Sequence, residues 1–168
     1  MPMRSLNLLL LVSFLLAACL APETAPPQNP TPTEPAAEST SIQAYFTDPR
    51  STDARLRRNG LDTLLVAVID SARLSVEAAI YDLNLFTVRN ALIDAHQRGV
   101  TVRVVAESDQ LDRQELQDLK DAGIPVLGDR RESLMHNKFI LIDRQQVWTG
   151  SMNFTFNGVY DNDNNLLQ

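Results

Sequence analysis

The stretch His136-Asn137-Lys138-Phe139-Ile140-Leu141-Ile142-Asp143-Arg144-Gln145-Gln146-Val147-Trp148-Thr149-Gly150-Ser151-Met152-Asn153 holds two short apolar runs around a polar break. Lys138 to Ile142 and Gln146 to Thr149 are rich in branched and aromatic residues, so they read as two strands joined by a turn at Asp143-Arg144-Gln145. Strand side chains alternate between faces, so His136 and Lys138, two apart, point the same way. That side then carries a nucleophile or proton carrier next to a fixed positive charge. This is the minimum equipment for attacking a phosphodiester.

Upstream, strand and helix patterns alternate. Ile42 to Thr47 reads as a short strand, and Leu56, Leu61, Leu64, Leu65, Val68 and Ile69 recur at helical spacing as far as Ala72, with Gly60 weakening that helix midway. Ser75 to Tyr81 alternates like a strand. Thr87 to Gln97 is a second helix, stopped near Gly99. Val100 to Ala106 is an apolar run typical of a strand buried on both faces. Asp112 is placed to cap a third helix with Leu116 and Leu119 inward, ended by Gly123. Ile124 to Leu127 carries Pro125, which suits an edge strand. The alternation predicts an α/β fold: a layered α-β-α sandwich on a mixed, largely parallel sheet with helices on both faces.

The first 41 residues are different material. Arg4 and the apolar run Leu6 to Leu16, too short to span a bilayer comfortably, lead into Leu16-Ala17-Ala18-Cys19. Residues 1–19 resemble a bacterial lipoprotein signal, cut before Cys19 with lipid carried on its sulfur; the alternative is an ordinary secretory signal. Cys19 is the only cysteine, so no disulfide within the chain is possible. Residues 20–41 contain Pro22, Pro26, Pro27, Pro30, Pro32 and Pro35 with little apolar to bury, which predicts a solvated, disordered tether. At roughly 3 Å per residue in polyproline geometry it would reach some 60 Å from a membrane. Anchor and tether together imply an extracytoplasmic location on a bacterial membrane for the domain at 42–168.

Net charge is -6 over the whole chain and near -4 for residues 42–168, with only two lysines, Lys120 and Lys138. Non-specific nucleic-acid binding depends on many Lys and Arg side chains neutralising phosphates, so this surface suits it poorly despite local clusters at Arg55-Arg57-Arg58 and Arg130-Arg131. No Cys/His/Asp cluster has metal-ligand spacing. His96, at a helix end, reads as an ordinary helix-terminus side chain.

Written as His-x-Lys, four residues, Asp, six residues, Gly-Ser-x-Asn, the stretch from His136 to Thr155 resembles the signature of the phospholipase D superfamily. The resemblance runs from about Ile42 to Gln168. It implies phosphodiester cleavage through a phosphohistidine on His136, without metal or other cofactor. Lys138 would hold the non-bridging phosphate oxygens and offset charge building in the transition state. Ser151 and Asn153 would bind phosphate, and Gly150 would let the backbone come close to it. Asp143 matches the family letter and so joins His136 and Lys138 as a catalytic candidate. Its parity is opposite to theirs, however, and it falls where the turn begins, where it would hold the hairpin. Past the Gly-Ser-x-Asn block, single-signature nucleases of the superfamily carry a glutamate that orients the histidine. Here that position is Asn164, with Asp161 and Asp163 as the carboxylates left to substitute.

The family mechanism uses two histidines, one to attack and one to protonate the leaving alcohol. A single signature therefore implies either a homodimer partner or a second signature in a missing C-terminal half. The ending Asn164-Asn165-Leu166-Leu167-Gln168 reads as a strand cut short, so truncation is the expectation. Three functions fit. The leading one is a lipid-degrading phosphodiesterase releasing phospholipid head groups to leave phosphatidate. The second is a metal-independent endonuclease of the same superfamily acting on DNA, and the third an inactive phosphate-binding half-domain.

Overall fold

The computed structural model describes residues 42–168; the expected leader, Cys19 and the tether lie outside the described residues. Along the chain come β1 (Ala44–Phe46), α1 (Thr52–Arg55), α2 (Leu61–Ser71), β2 (Ser75–Ile80), α3 (Phe86–Gln97), β3 (Thr101–Ala106), α4 (Gln114–Asp121), β4 (Val126–Gly128), β5 (Lys138–Ile142), β6 (Gln146–Gly150), α5 (Phe156–Tyr160) and β7 (Asn165–Leu167). The helical run expected from Thr52 to Ala72 is two helices. Arg57 and Asn59 take positive φ between them, and Gly60 caps the start of α2. The third helix is capped by Arg113 rather than Asp112, without a side-chain cap bond.

The strands form one sheet in the order β1-β7-β6-β5-β2-β3-β4. It is mixed, as expected: β2, β3 and β4 pair in parallel, while β5, β6, β7 and β1 join through antiparallel pairs. Only β5 and β7 run against the rest, so the strands are largely co-directional although most neighbouring pairs are antiparallel. β4 is an edge strand, where Pro125 beside it costs no ladder bond. The closing strand β7 is not an edge: β1 and β6 flank it. Asp143 and Arg144 both take positive φ in the β5–β6 turn, and the Gln145 N–H closes it on the Ile142 carbonyl at 2.9 Å. That is the primed geometry whose twist matches paired strands.

The connections from β1 to β2, from β2 to β3 and from β3 to β4 all advance across the sheet in one direction. Right-handed crossovers then lay α2, α3 and α4 on one face. Burial agrees. Val76, Ala78 and Ile80 of β2 face Val102, Val104 and Ala106 of β3 and Ile142 and Ile140 of β5, all buried together with Leu65, Ile69, Leu92, Leu116 and Leu119 from the helices. Each such leucine or isoleucine contributes about 1.5–3 kcal/mol by leaving water.

The opposite face is open among the described residues. Thr101, Arg103 and Val105 of β3 are exposed, which corrects the expectation that this strand is buried on both sides. Val102, Val104 and Ala106 face the helices, and nothing described covers the other row. The second helical layer of the expected sandwich is likewise not among the described residues. Asp62, 3% exposed, fastens the helical layer from within. Its carboxylate accepts from the Thr87 hydroxyl at 3.0 Å and the Tyr160 hydroxyl at 2.9 Å, joining α2, α3 and α5.

Candidate active site

The carboxyl ends of β2, β3 and β6 meet at one rim of the sheet, the position where open α/β sheets bind ligands. Lys138 opens β5 there, opposite Ile80 at the end of β2. Continuing the β5–β6 register from Phe139↔Thr149 sets Lys138 opposite Gly150, so the Gly-Ser-x-Asn block leaves β6 beside the His-x-Lys pair. The arrangement follows from alternation plus one tight turn.

Lys138 is 7% exposed and shares a sheet face with Ile140 and Ile142. Its ammonium donates to the His136 carbonyl at 2.8 Å and lies 5.1 Å from the centre of the Tyr81 ring. Burial strips water from the charge and holds its pKa below the ordinary 10.5. A poorly hydrated cation fixed at a strand end interacts strongly with any anion that reaches it. His136 is exposed, with its imidazole edge-on to Tyr81 at 4.7 Å between ring centres.

The His136 loop is tied down from the neighbouring strand ends. The buried Glu107 carboxylate, just past β3, accepts the Met135 and Asp109 N–H groups. Asp129 is held by Ser108, whose hydroxyl and N–H both donate to it at 2.8 and 3.2 Å, and those bonds hold its pKa below 3.8. Tyr81 N–H donates to the Asn137 carbonyl at 2.8 Å. Neither Tyr81 nor Glu107 was singled out by motif reading. Their only sequence signal is position, directly after the apolar runs that become β2 and β3.

Other expected residues turn out differently. Asp143 is not at the site. It stands at the opposite end of β5, five residues or about 17 Å along the strand from Lys138. Its carboxylate accepts N–H groups of Arg73, Leu74 and Ser75 at 2.7–3.2 Å, pinning the entry to β2, and these bonds hold its pKa below 3.8. Its role as a catalytic candidate is corrected to a structural one.

Ser151 spends its hydroxyl on neighbours, donating to Asn164 Oδ1 at 2.9 Å and accepting Asn165 N–H at 3.0 Å. Asn164 donates to the Gly158 carbonyl at 2.8 Å, and neither end of its amide bonds to His136. The expected histidine orienter is therefore a brace between β6, α5 and β7. Gly150 is also explained by β7. A side chain there would collide with the Asn165 backbone, so glycine permits strand pairing at that point rather than approach to a phosphate. Asn153 is half-buried, and its side-chain carbonyl oxygen has no donor. Turning the amide over would present its NH2 there, the group a phosphate oxygen accepts from. Among the described residues, no hydrogen bond reaches the His136 ring.

The mixed sheet thus carries a buried lysine and an exposed histidine at the rim where the carboxyl ends of β2, β3 and β6 lie. Residues 65–168 match the family described as "Cardiolipin synthase, PLD-like domain", and the chain belongs to it. Among curated relatives it is 34% identical over 111 residues to mitochondrial cardiolipin hydrolase of Homo sapiens, covering 65% of this chain and 44% of that protein. It is 36% identical over 99 residues to phospholipase D of Rickettsia bellii, covering 58% and 49%. The chain thus spans about half the length of the curated relatives it matches. Among solved structures, Nuc from Salmonella typhimurium, a phospholipase D family member, superposes with TM-score 0.62 at 28% identity, over 76% of this chain and 80% of that one. NucT from Helicobacter pylori shares the fold at TM-score 0.57 and 20% identity, over 76% and 84%.

Proposed function

We propose that this chain carries half of a phospholipase D-type active site that hydrolyses phosphodiesters of phospholipids, releasing the head group and leaving phosphatidate. The observation that carries the reading is Lys138: a buried lysine whose ammonium is bonded to the backbone carbonyl of an exposed histidine at the sheet rim. Phosphate oxygens would sit against this ammonium and the Asn153 amide. An imidazole nitrogen lone pair of His136 attacks phosphorus, forming the N–P bond as the bond to the leaving oxygen breaks. That oxygen takes its proton from a second histidine, supplied by a partner copy or by a longer chain. The same histidine then activates the water whose attack breaks the N–P bond. Relatives named phospholipase D and cardiolipin hydrolase support the lipid substrate. The leader and tether support work outside the cytoplasm at a membrane, through lipid on Cys19.

Rapid quenching with a radiolabelled diester tests the chemistry: wild-type protein should retain acid-labile label, and His136→Ala none. Mixed phospholipid vesicles test the substrate. Free head group is expected from the wild type; plasmid nicking in EDTA with no head-group release would move the assignment to nucleic acid. Phosphate-ester binding without any labile label would leave only a binding module.

A further inference from the structure

We infer that Tyr81 is the positioning residue of the His136–Lys138 pair, holding both side chains on one aromatic ring. This deepens the phosphodiesterase reading of that pair and rests on it. Three separate contacts converge on the tripeptide. The Tyr81 N–H holds the Asn137 carbonyl at 2.8 Å, its ring meets the imidazole at 4.7 Å with planes 68° apart, and the Lys138 ammonium lies 5.1 Å from the ring centre. No other described group performs this task. The amide at the family's carboxylate position is spent on Ser151 and Gly158, and Glu107 accepts only backbone N–H groups, those of Met135 and Asp109.

An aromatic ring suits the work for a physical reason. Its π face attracts a cation without accepting its proton, so Lys138 stays charged while it is kept out of water. The edge-on contact limits how the imidazole can turn, leaving a nitrogen free for phosphorus. A hydrogen-bonded carboxylate would orient the histidine by taking one ring N–H; this ring orients it by packing. The Tyr81 hydroxyl takes no part, since no hydrogen bond of that oxygen occurs among the described residues.

The test compares Tyr81→Phe with Tyr81→Leu in the full chain. On a soluble aryl phosphodiester, Tyr81→Phe should stay within about twofold of wild type. Tyr81→Leu should lose about tenfold or more in kcat with KM changed much less, since an interaction of this kind sets geometry and charge rather than bulk binding. An unchanged melting temperature in Tyr81→Leu would show that the loss is not unfolding. A second readout needs no turnover. The chain has two histidines, so the ring Hε1 signal of His136 is identified by its loss in His136→Ala. Ring current should displace that signal alike in wild type and Tyr81→Phe, and Tyr81→Leu should return it to the position of a free imidazole. If the wild type proves inactive, the phosphodiesterase reading falls while the spectrum still decides the role of Tyr81. A His136 signal unmoved by Tyr81→Leu, or full activity in that variant, overturns the inference.

Discussion

Two residues at the two ends of β5, Lys138 opening it and Asp143 in the turn just past it, show how far a side chain's position sets its work. Lys138 carries a buried charge whose native pKa lies below 10.5. The unfolded chain therefore holds that proton more firmly, and burial works against folding at neutral pH. The penalty is relieved as pH rises from the native value through 10.5. Lys138→Met should thus raise the melting temperature at pH 7, with the gain shrinking as pH climbs toward 10.5 and gone above it, while kcat on any diester falls by about 10²–10³-fold through loss of a preorganised cation. Calorimetry beside a turnover assay checks both; a destabilised Met variant would contradict the buried-charge account. Asp143 behaves oppositely. Its native pKa lies below 3.8, so its contribution is present above 3.8 and is lost as pH falls through the lower native value. Asp143→Asn should melt several degrees lower at pH 7 and approach wild type in acid, yet keep its activity below the melting transition. A large loss of kcat in folded Asp143→Asn would return it to the catalytic list. Alternation along the strand already separates these two residues: Lys138 and Asp143 differ in parity, and the turn beginning at Asp143 needs a residue that tolerates positive φ.

Among elements, the short helix α5 has the largest consequence and the weakest sequence signal. Five residues carry no usable periodicity, and Phe156-Asn157-Gly158-Val159-Tyr160 contains a mid-helix glycine. Tertiary contacts select it: Thr155 caps its start by accepting Gly158 N–H at 3.0 Å, and Tyr160 reaches Asp62 at 2.9 Å. Burial and the Asp62 carboxylate push the Tyr160 hydroxyl up to about 12. The native hydroxyl keeps its proton more firmly than the unfolded one, so this stabilisation is complete below 10 and fades as pH rises toward 12. Tyr160→Phe leaves Asp62 one partner short in the core and should cost about 1–3 kcal/mol in chemical denaturation at pH 7. An unaltered denaturation midpoint would mean that Asp62 is satisfied without it. The long elements were legible because their patterns are strong: Leu116 and Leu119 at helical spacing, and Val76, Ala78 and Ile80 at strand spacing, all buried where the spacing puts them.

For the molecule, the decisive asymmetry is that the described helices cover one sheet face. Leu127 is 58% exposed, Val147 50% and Val105 38% on the other, with Phe139 and Leu141 half-buried among them. Glu77 pairs with Arg103 and Arg144 at one end of this face. An apolar strip of that kind is expected to bind a hydrophobic reporter dye, and the double variant Leu127→Thr, Val147→Thr to bind distinctly less with the fold intact by circular dichroism. Equal dye binding by both proteins would show the strip to be covered. Sequence alone determined the strands and helices with strong periodicity, the mixed layered sheet, and the hairpin that returns the Gly-Ser-x-Asn block beside Lys138, because each depends on local alternation and one tight turn. Only the tertiary structure decided that Asp143 and Asn164 brace their neighbours, that Ser151 and Gly150 serve β7, and that Tyr81 meets the His136–Lys138 pair. Those facts depend on which segments, tens of residues apart, arrive at the same rim of the sheet, and local spacing holds no record of that meeting.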